Sequence, residues 1–256
     1  MTKAVAKKQN NEVSVYNDQD LGAWGGNEFS QSDIIIPKLI LMQASSTLLV
    51  EHEDLKSGDY IHSVTKEKVG SAKEPVEFVP FMMKKLWRVS LAEGKDFKFA
   101  YMEQRDESNE DAPKEFTVNG KAAQRQKVFQ FYSFVGNETI PMIITMKGMS
   151  FNTGKQLANE MYLTNPVLNL PPPGRTFSLS VEDTDYENKK YKMYAIKEVG
   201  ETPEDLVKGK IFKWYKTIAA GSLKEHSEEE VDAVETQASE VQEHPTSESV
   251  EVNGQF

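Results

Sequence analysis

The chain of 256 residues contains no cysteine, so disulfides and thiolate metal sites are excluded. No stretch approaches the ~20 apolar residues of a membrane-spanning helix. Met1 to Asn11 carries Lys3, Lys7 and Lys8 but no apolar core, and is read as lacking a signal peptide. These absences suit a protein of the cytoplasm that makes no use of a membrane. Histidine is scarce: His52, His62, His226 and His244 lack metal-ligand spacing. No Gly-x-Ser-x-Gly and no calcium-loop pattern occurs. Gly148 to Lys155 superficially resembles a phosphate-binding loop. It has five residues between its glycines where four are required, and Gln156 stands where a magnesium-binding hydroxyl belongs. The expectation is a non-enzyme with no metal and no cofactor.

The most uneven absence is that of basic residues at the C-terminal end. Glu225 to Phe256 holds ten carboxylates and no Lys or Arg. The whole chain has 40 acids and 30 bases, so residues 1–224 hold 30 of each (40 − 10 = 30) and the net charge of −10 belongs to the tail. That tail has no aromatic residue before Phe256. It reads as an acidic, disordered segment over 223–256, either a solubilising terminus or a ligand for a partner.

Residues 1–31 are polar and read as a flexible arm with Trp24 as its one sticky point. The remaining 32–222 can bury one core. Ile34 to Met42 is an apolar run interrupted by Pro37, which predicts a short edge strand followed by a turn or helix. Strands are predicted over Tyr60–Val64, Val76–Val89, Phe97–Tyr101, Val128–Val135, Thr139–Met146, Arg175–Val181 and Tyr191–Ile196, with Thr65–Pro75 as a turn. Asn119-Gly120 predicts a type I′ hairpin turn within the charged insertion Glu103–Lys127. Leu170 to Gly174 reads as a stiff linker. One helix is predicted over Ser150–Tyr162. A second opens at Thr202-Pro203-Glu204-Asp205, with Thr202 as cap and Val207, Ile211, Trp214, Tyr215 and Ile218 on one face. The fold class expected is mostly β, an OB-like β-barrel with one inserted helix, a C-terminal helix and the disordered tail. Such barrels bind oligonucleotides.

Sets of basic and aromatic residues fall on adjacent strands. Phosphates need cations and bases need rings to stack on, which selects Lys84, Lys85, Trp87, Arg88, Lys95, Lys98, Phe99, Tyr101, Arg125, Lys127 and Phe131. Tyr186, Lys189 and Lys190 join them from the predicted last hairpin. The competing reading makes the rings core and the lysines guards of exposed strand edges.

The layout, with Glu228-Glu229-Glu230, Asp232 and terminal Phe256, resembles bacteriophage single-stranded DNA-binding proteins. Ile36 to Gln43 and Gly58-Asp59-Tyr60 are also similar to segments of phage proteins of like length. The bacterial proteins of this kind place consecutive aspartates before Ile-Pro-Phe, whereas Asn253-Gly254-Gln255 precede Phe256 here. The resemblance implies non-specific protection of single-stranded DNA in replication or recombination. It also implies that Glu228, Glu229, Glu230, Asp232 and Phe256 recruit a phage polymerase, helicase or recombinase in the host cytoplasm. Two alternatives stand beside it: a virion or assembly protein, and an annealing or transcription-coactivating protein.

Overall fold

The computed structural model describes residues 35–163, 174–186, 189–221 and 224–225. The chain is mostly β. Its strands are β1 (Ile35–Ile36), β2 (Lys38–Leu41), β3 (Asp59–His62), β4 (Lys68–Ser71), β5 (Val76–Glu93), β6 (Asp96–Gln104), β7 (Glu115–Val118), β8 (Lys121–Val135), β9 (Met142–Met146), β10 (Arg175–Tyr186), β11 (Lys189–Glu201) and β12 (Lys224–Glu225). The helices are α1 (Leu48–Glu51), α2 (Phe151–Leu163), α3 (Glu204–Leu206) and α4 (Phe212–Ala219), and a π-helical turn (Val207–Ile211) joins the last two.

The main sheet runs β11-β10-β5-β8-β9-β2-β3-β4, with β6 added beside β5 and β7 beside β8. It curls into a half-barrel of OB-like form, and side chains bridge the seam between its two ends. The Gln43 amide accepts from the Lys192 backbone N–H at 3.0 Å and donates to the Lys192 carbonyl at 2.9 Å. One side chain thereby imitates a strand pair across the gap from β11 to the end of β2. The Tyr194 hydroxyl donates to the Leu39 carbonyl and the Tyr60 hydroxyl to the Leu179 carbonyl. Burial pushes the Tyr60 phenol up to about 12, so it stays a neutral donor.

Both faces of the central strands are covered. The inner face gathers Leu39, Tyr60, Phe78, Phe131, Ile144 and Phe177 under α2. The outer face of β5, β8 and β9 places Val79, Phe81, Tyr132, Phe134 and Ile143 against Ile211 and Ile218 of the C-terminal helical segment. A third cluster packs Ile40 and Ile61 under Leu48 and Leu55. Two-sided cover explains why Val128–Val135 carries large residues at consecutive positions, all of them buried.

Several elements differ from their sequence reading. β2 is an interior strand, parallel to β9 and antiparallel to β3. Pro37 does not prevent this because it precedes the strand, and its carbonyl still accepts from Ile143 N–H. The predicted turn Thr65–Pro75 contains β4, which among the described residues pairs with β3 alone. Thr202 makes no cap: the helix begins at Glu204 with Pro203 as N-cap, while Thr202 N–H bonds the Gly174 carbonyl. Most of the predicted linker, 170–173, lies outside the described residues, as does the arm 1–31.

Gly70 marks the closest packing. A Cβ there would lie 2.4 Å from Tyr60 Cε2 and 2.8 Å from the Glu74 carbonyl oxygen. Tyr60 cannot retreat while its hydroxyl holds Leu179. Gly70→Ala is therefore expected to destabilise the fold by about 3 kcal/mol, the upper end of overpacking costs. A lowered urea midpoint checks this; an unchanged one would mean β4 yields freely.

Candidate nucleic-acid interface

β5 and β8 are far longer than the barrel needs. Their ladder runs from Phe78↔Val135 to Leu91↔Ala123. The outer half continues as a four-stranded antiparallel extension in the order β6-β5-β8-β7. Asn119 (φ +50°) and Gly120 (φ +79°) make the left-handed turn into β8, as their dipeptide predicts.

Directly opposed residues of an antiparallel pair share a face. Lys85 opposes Phe129, Trp87 opposes Lys127, and Val89 opposes Arg125. Glu103 and Tyr101 oppose Trp87 and Val89 from the other side. This face carries a cation cluster around one indole. The guanidinium carbons of Arg105 and Arg125 lie 5.8 Å from the Trp87 ring centre, and Lys127 Nζ lies at 5.5 Å. Arg105 also covers Phe129 and Phe151, at 5.0 and 5.6 Å. Arg125 sits 4.0 Å from the Phe116 ring.

Two carboxylates answer these charges. Glu110 meets Lys127 Nζ at 3.0 Å and Arg105 Nε at 3.4 Å, and Glu103 reaches Arg125 at 3.9 Å. Burial works to raise the Glu110 pKa, but the hydrogen bond from Lys127 and the charges of Arg105, Lys127 and Lys85 hold it below its ordinary value. The segment carrying Glu110 is tied down where Trp87 Nε1–H donates to the Asn109 carbonyl at 3.1 Å.

The residues expected to bind nucleic acid are not all placed to do so. Phe131 is fully buried in the barrel core and Trp87 is 1% exposed, so neither ring can stack on a base as the chain is folded. Arg88 is buried too, with its Nη1 on Ser90 Oγ at 2.7 Å and Phe99 beneath its guanidinium. Lys84 lies over the Tyr132 ring on the barrel's outer face and pairs with Glu225 at 2.8 Å. Lys85, Lys95 and Lys98 are exposed, Lys98 paired with Glu93. Tyr101 is 41% exposed, whereas Phe99 is half-buried. Arg125 and Lys127 are half-buried in the Trp87 cluster. Tyr186, Lys189 and Lys190 lie at the β10–β11 hairpin, with both lysines exposed.

Arg105 and Phe116 belong to the same extension and were not among the expected residues. The alternation of β6 continued past Tyr101 reaches Glu103 and then Arg105, a usable signal. Nothing in the sequence marks Phe116.

Glu225, the first acid of the tail, belongs to the fold. β12 pairs in parallel with β1, and the Tyr132 hydroxyl donates to the Glu225 carboxylate. Burial, then the Glu225 charge, pushes the Tyr132 phenol far above its ordinary range. Glu228, Glu229, Glu230, Asp232 and Phe256 lie outside the described residues.

Two open pockets of about 300 and 290 Å³ flank the Gly136–Glu138 loop, the first of them lined by His62, Glu67 and Lys68. Among the described residues no three His, Asp or Glu side chains are grouped to hold a metal, and no helix is long and apolar enough to cross a membrane. The family model described as Pam3 phage gp34-like protein matches residues 6–241. No curated protein and no solved structure matches the chain.

Proposed function

Because the chain belongs to the Pam3 phage gp34-like family, and is thus a phage protein, we propose that it binds and protects single-stranded DNA without reading its sequence. It acts as a binding protein rather than an enzyme, in replication or recombination within the host cytoplasm. The acidic C-terminal residues recruit a phage polymerase, helicase or recombinase. The observation that carries this reading is the extension of an OB-like barrel into a sheet whose one face joins Lys85, Arg105, Arg125 and Lys127 to Trp87 and exposed Tyr101. Cations follow phosphates and rings accept bases. Lys95, Lys98 and Phe97 at the β5–β6 end extend the same chemistry, and Tyr186, Lys189 and Lys190 offer a second set.

Titration of oligo-dT against intrinsic fluorescence at several salt concentrations tests the reading. Affinity is expected to fall by orders of magnitude between ~50 and ~200 mM salt if six or more phosphates are neutralised. Absent binding at low salt, or a flat salt response, overturns it.

One observation favours a virion or assembly role instead. β6 is a nine-residue strand paired only with β5 among the described residues, and it exposes Phe97 and Tyr101. Such an edge suits the joining of subunits. That role predicts stable oligomers that ignore oligo-dT, which size exclusion with and without the oligonucleotide separates.

A further inference from the structure

We propose that single-stranded DNA crosses the extension at the edge of β6, stacking on Tyr101 on one face and on Phe97 on the other. The inference rests on the DNA-binding reading and gives that ligand a path.

A β-bulge is the first ground. Val89 opposes Tyr101, yet the next residue of β5, Ser90, opposes Phe99, so Ala100 is the extra residue. A regular strand would carry Phe97, Phe99 and Tyr101 on one face. The extra residue turns the alternation over. Tyr101 therefore shares the face of Val89 and Trp87, whereas Phe97, which opposes Ala92, shares the other face with Phe99 and Arg88. Both end rings are open, Tyr101 at 41% and Phe97 at 36% exposure. They stand four residues apart, roughly 13 Å along the strand.

The second ground is what surrounds the rings. Lys98 opposes Leu91 and so stands on the Tyr101 face, its side chain 73% exposed and paired with Glu93. On the Phe97 face the Arg88 guanidinium lies 5.2 Å from the Phe99 ring. Exposed Lys95 stands at the turn between β5 and β6. Each face thus sets a ring near a cation, the two parts that hold a single strand. Glu93 and Asp96 offset part of the charge, which leaves the rings as the main hold at this edge. The edge itself is the third ground. Among the described residues β6 pairs with β5 alone. A bulge interrupts the regular ladder that a neighbouring subunit's strand would need. A nucleic-acid strand needs no such ladder, so this edge suits it better than it suits another sheet.

The test titrates the full chain with oligo-dT of about 16 nucleotides, the upper end of single-strand site sizes. Phe97→Ala and Tyr101→Ala are each expected to weaken binding about tenfold, the worth of one stacked base. Together they should weaken it about a hundredfold, because rings this far apart act independently. Phe97→Trp, which keeps a stacking ring, should bind as the wild type does, and one oligomer should bind per chain. Urea midpoints of the alanine variants should match the wild type, as for other surface positions. If Tyr101→Ala weakens binding and Phe97→Ala does not, DNA keeps to one face; the crossing is overturned and the DNA reading stands. Two oligomers per chain overturn the crossing in the same way. If Phe97→Ala instead dissolves an oligomer of the protein and leaves DNA affinity unaltered, the edge is a subunit joint and the crossing is overturned. If the wild type binds no oligo-dT at low salt, the DNA reading falls and the crossing with it.

Discussion

Phe131→Ala is expected to lower the unfolding free energy by about 3–5 kcal/mol, a large share of the ~5–15 kcal/mol that holds a domain together. The ring has no exposure, and it stands at the centre of β8 among Leu39, Phe129 and Ile144 of the inner core. β5 on one side and β9 on the other fix its backbone, so the strand cannot collapse into the space that truncation leaves. Tyr101→Ala is the informative partner. Tyr101 is on the edge strand β6 with 41% of its surface exposed, and surface substitutions of this kind stay within about 0.5 kcal/mol of wild-type stability. Under the proposed function its loss should instead weaken oligo-dT binding by ~1–3 kcal/mol, the contribution of one stacked base. Urea unfolding and oligo-dT titration on both variants give a crossed pattern: one changes stability, the other affinity. If Tyr101→Ala leaves affinity unchanged, β6 is not a stacking surface.

Deletion of residues 226–256 is expected to strengthen oligo-dT binding by about tenfold at low salt, with the gain disappearing as salt rises. The segment holds nine of the ten tail carboxylates, so its removal takes the net charge from −10 to −1 (−10 + 9). A tethered polyanion reaches a cationic surface at millimolar effective concentration, and screening over about 10 Å at 0.1 M salt weakens that competition. A second deletion beginning at Lys224 separates competition from anchoring. It also removes Glu225, which pairs with Lys84 and accepts from Tyr132. Tyr132 is then left with a buried hydroxyl and no acceptor, at a cost of about 1–3 kcal/mol, and Lys84 is released. The shorter protein should melt earlier than the 225-residue form while binding DNA at least as well. Equal affinity of the full-length and 225-residue proteins at every salt concentration would return the acidic segment to a solubilising role. In the proposed function Phe256→Ala weakens capture of the phage partner and leaves DNA affinity unaltered, because a single apolar side chain carries no charge into the competition.

The sequence by itself determined what depends on local chemistry and on period. The strand over Phe97–Tyr101, the Asn119-Gly120 turn, the helix between β9 and β10 and the apolar stripe from Val207 to Ile218 all follow from neighbours within a few residues, whereas the bulge that sets Tyr101 on the opposite face from Phe99 does not. So does the charge division between tail and body, which is a count. The tertiary structure decided everything that depends on which face is covered and by what. In β8 the period is lost because α2 packs on one side and the C-terminal helical segment on the other, so alternation could not separate Phe131 in the core from a ring at the surface. Trp87 reads in sequence as a stacking residue among lysines, yet the segment after β6 closes over it and Arg105 joins from a position the strand pattern had not been extended to reach. β2 is interior because β9 arrives beside it from about a hundred residues away, and β4 is drawn into the sheet by its pairing with β3. Gln43 closes the seam onto Lys192 across 149 residues. Contacts at such separations are selected by the burial and hydrogen bonding of the whole sheet, and no local preference of the residues that make them carries that information.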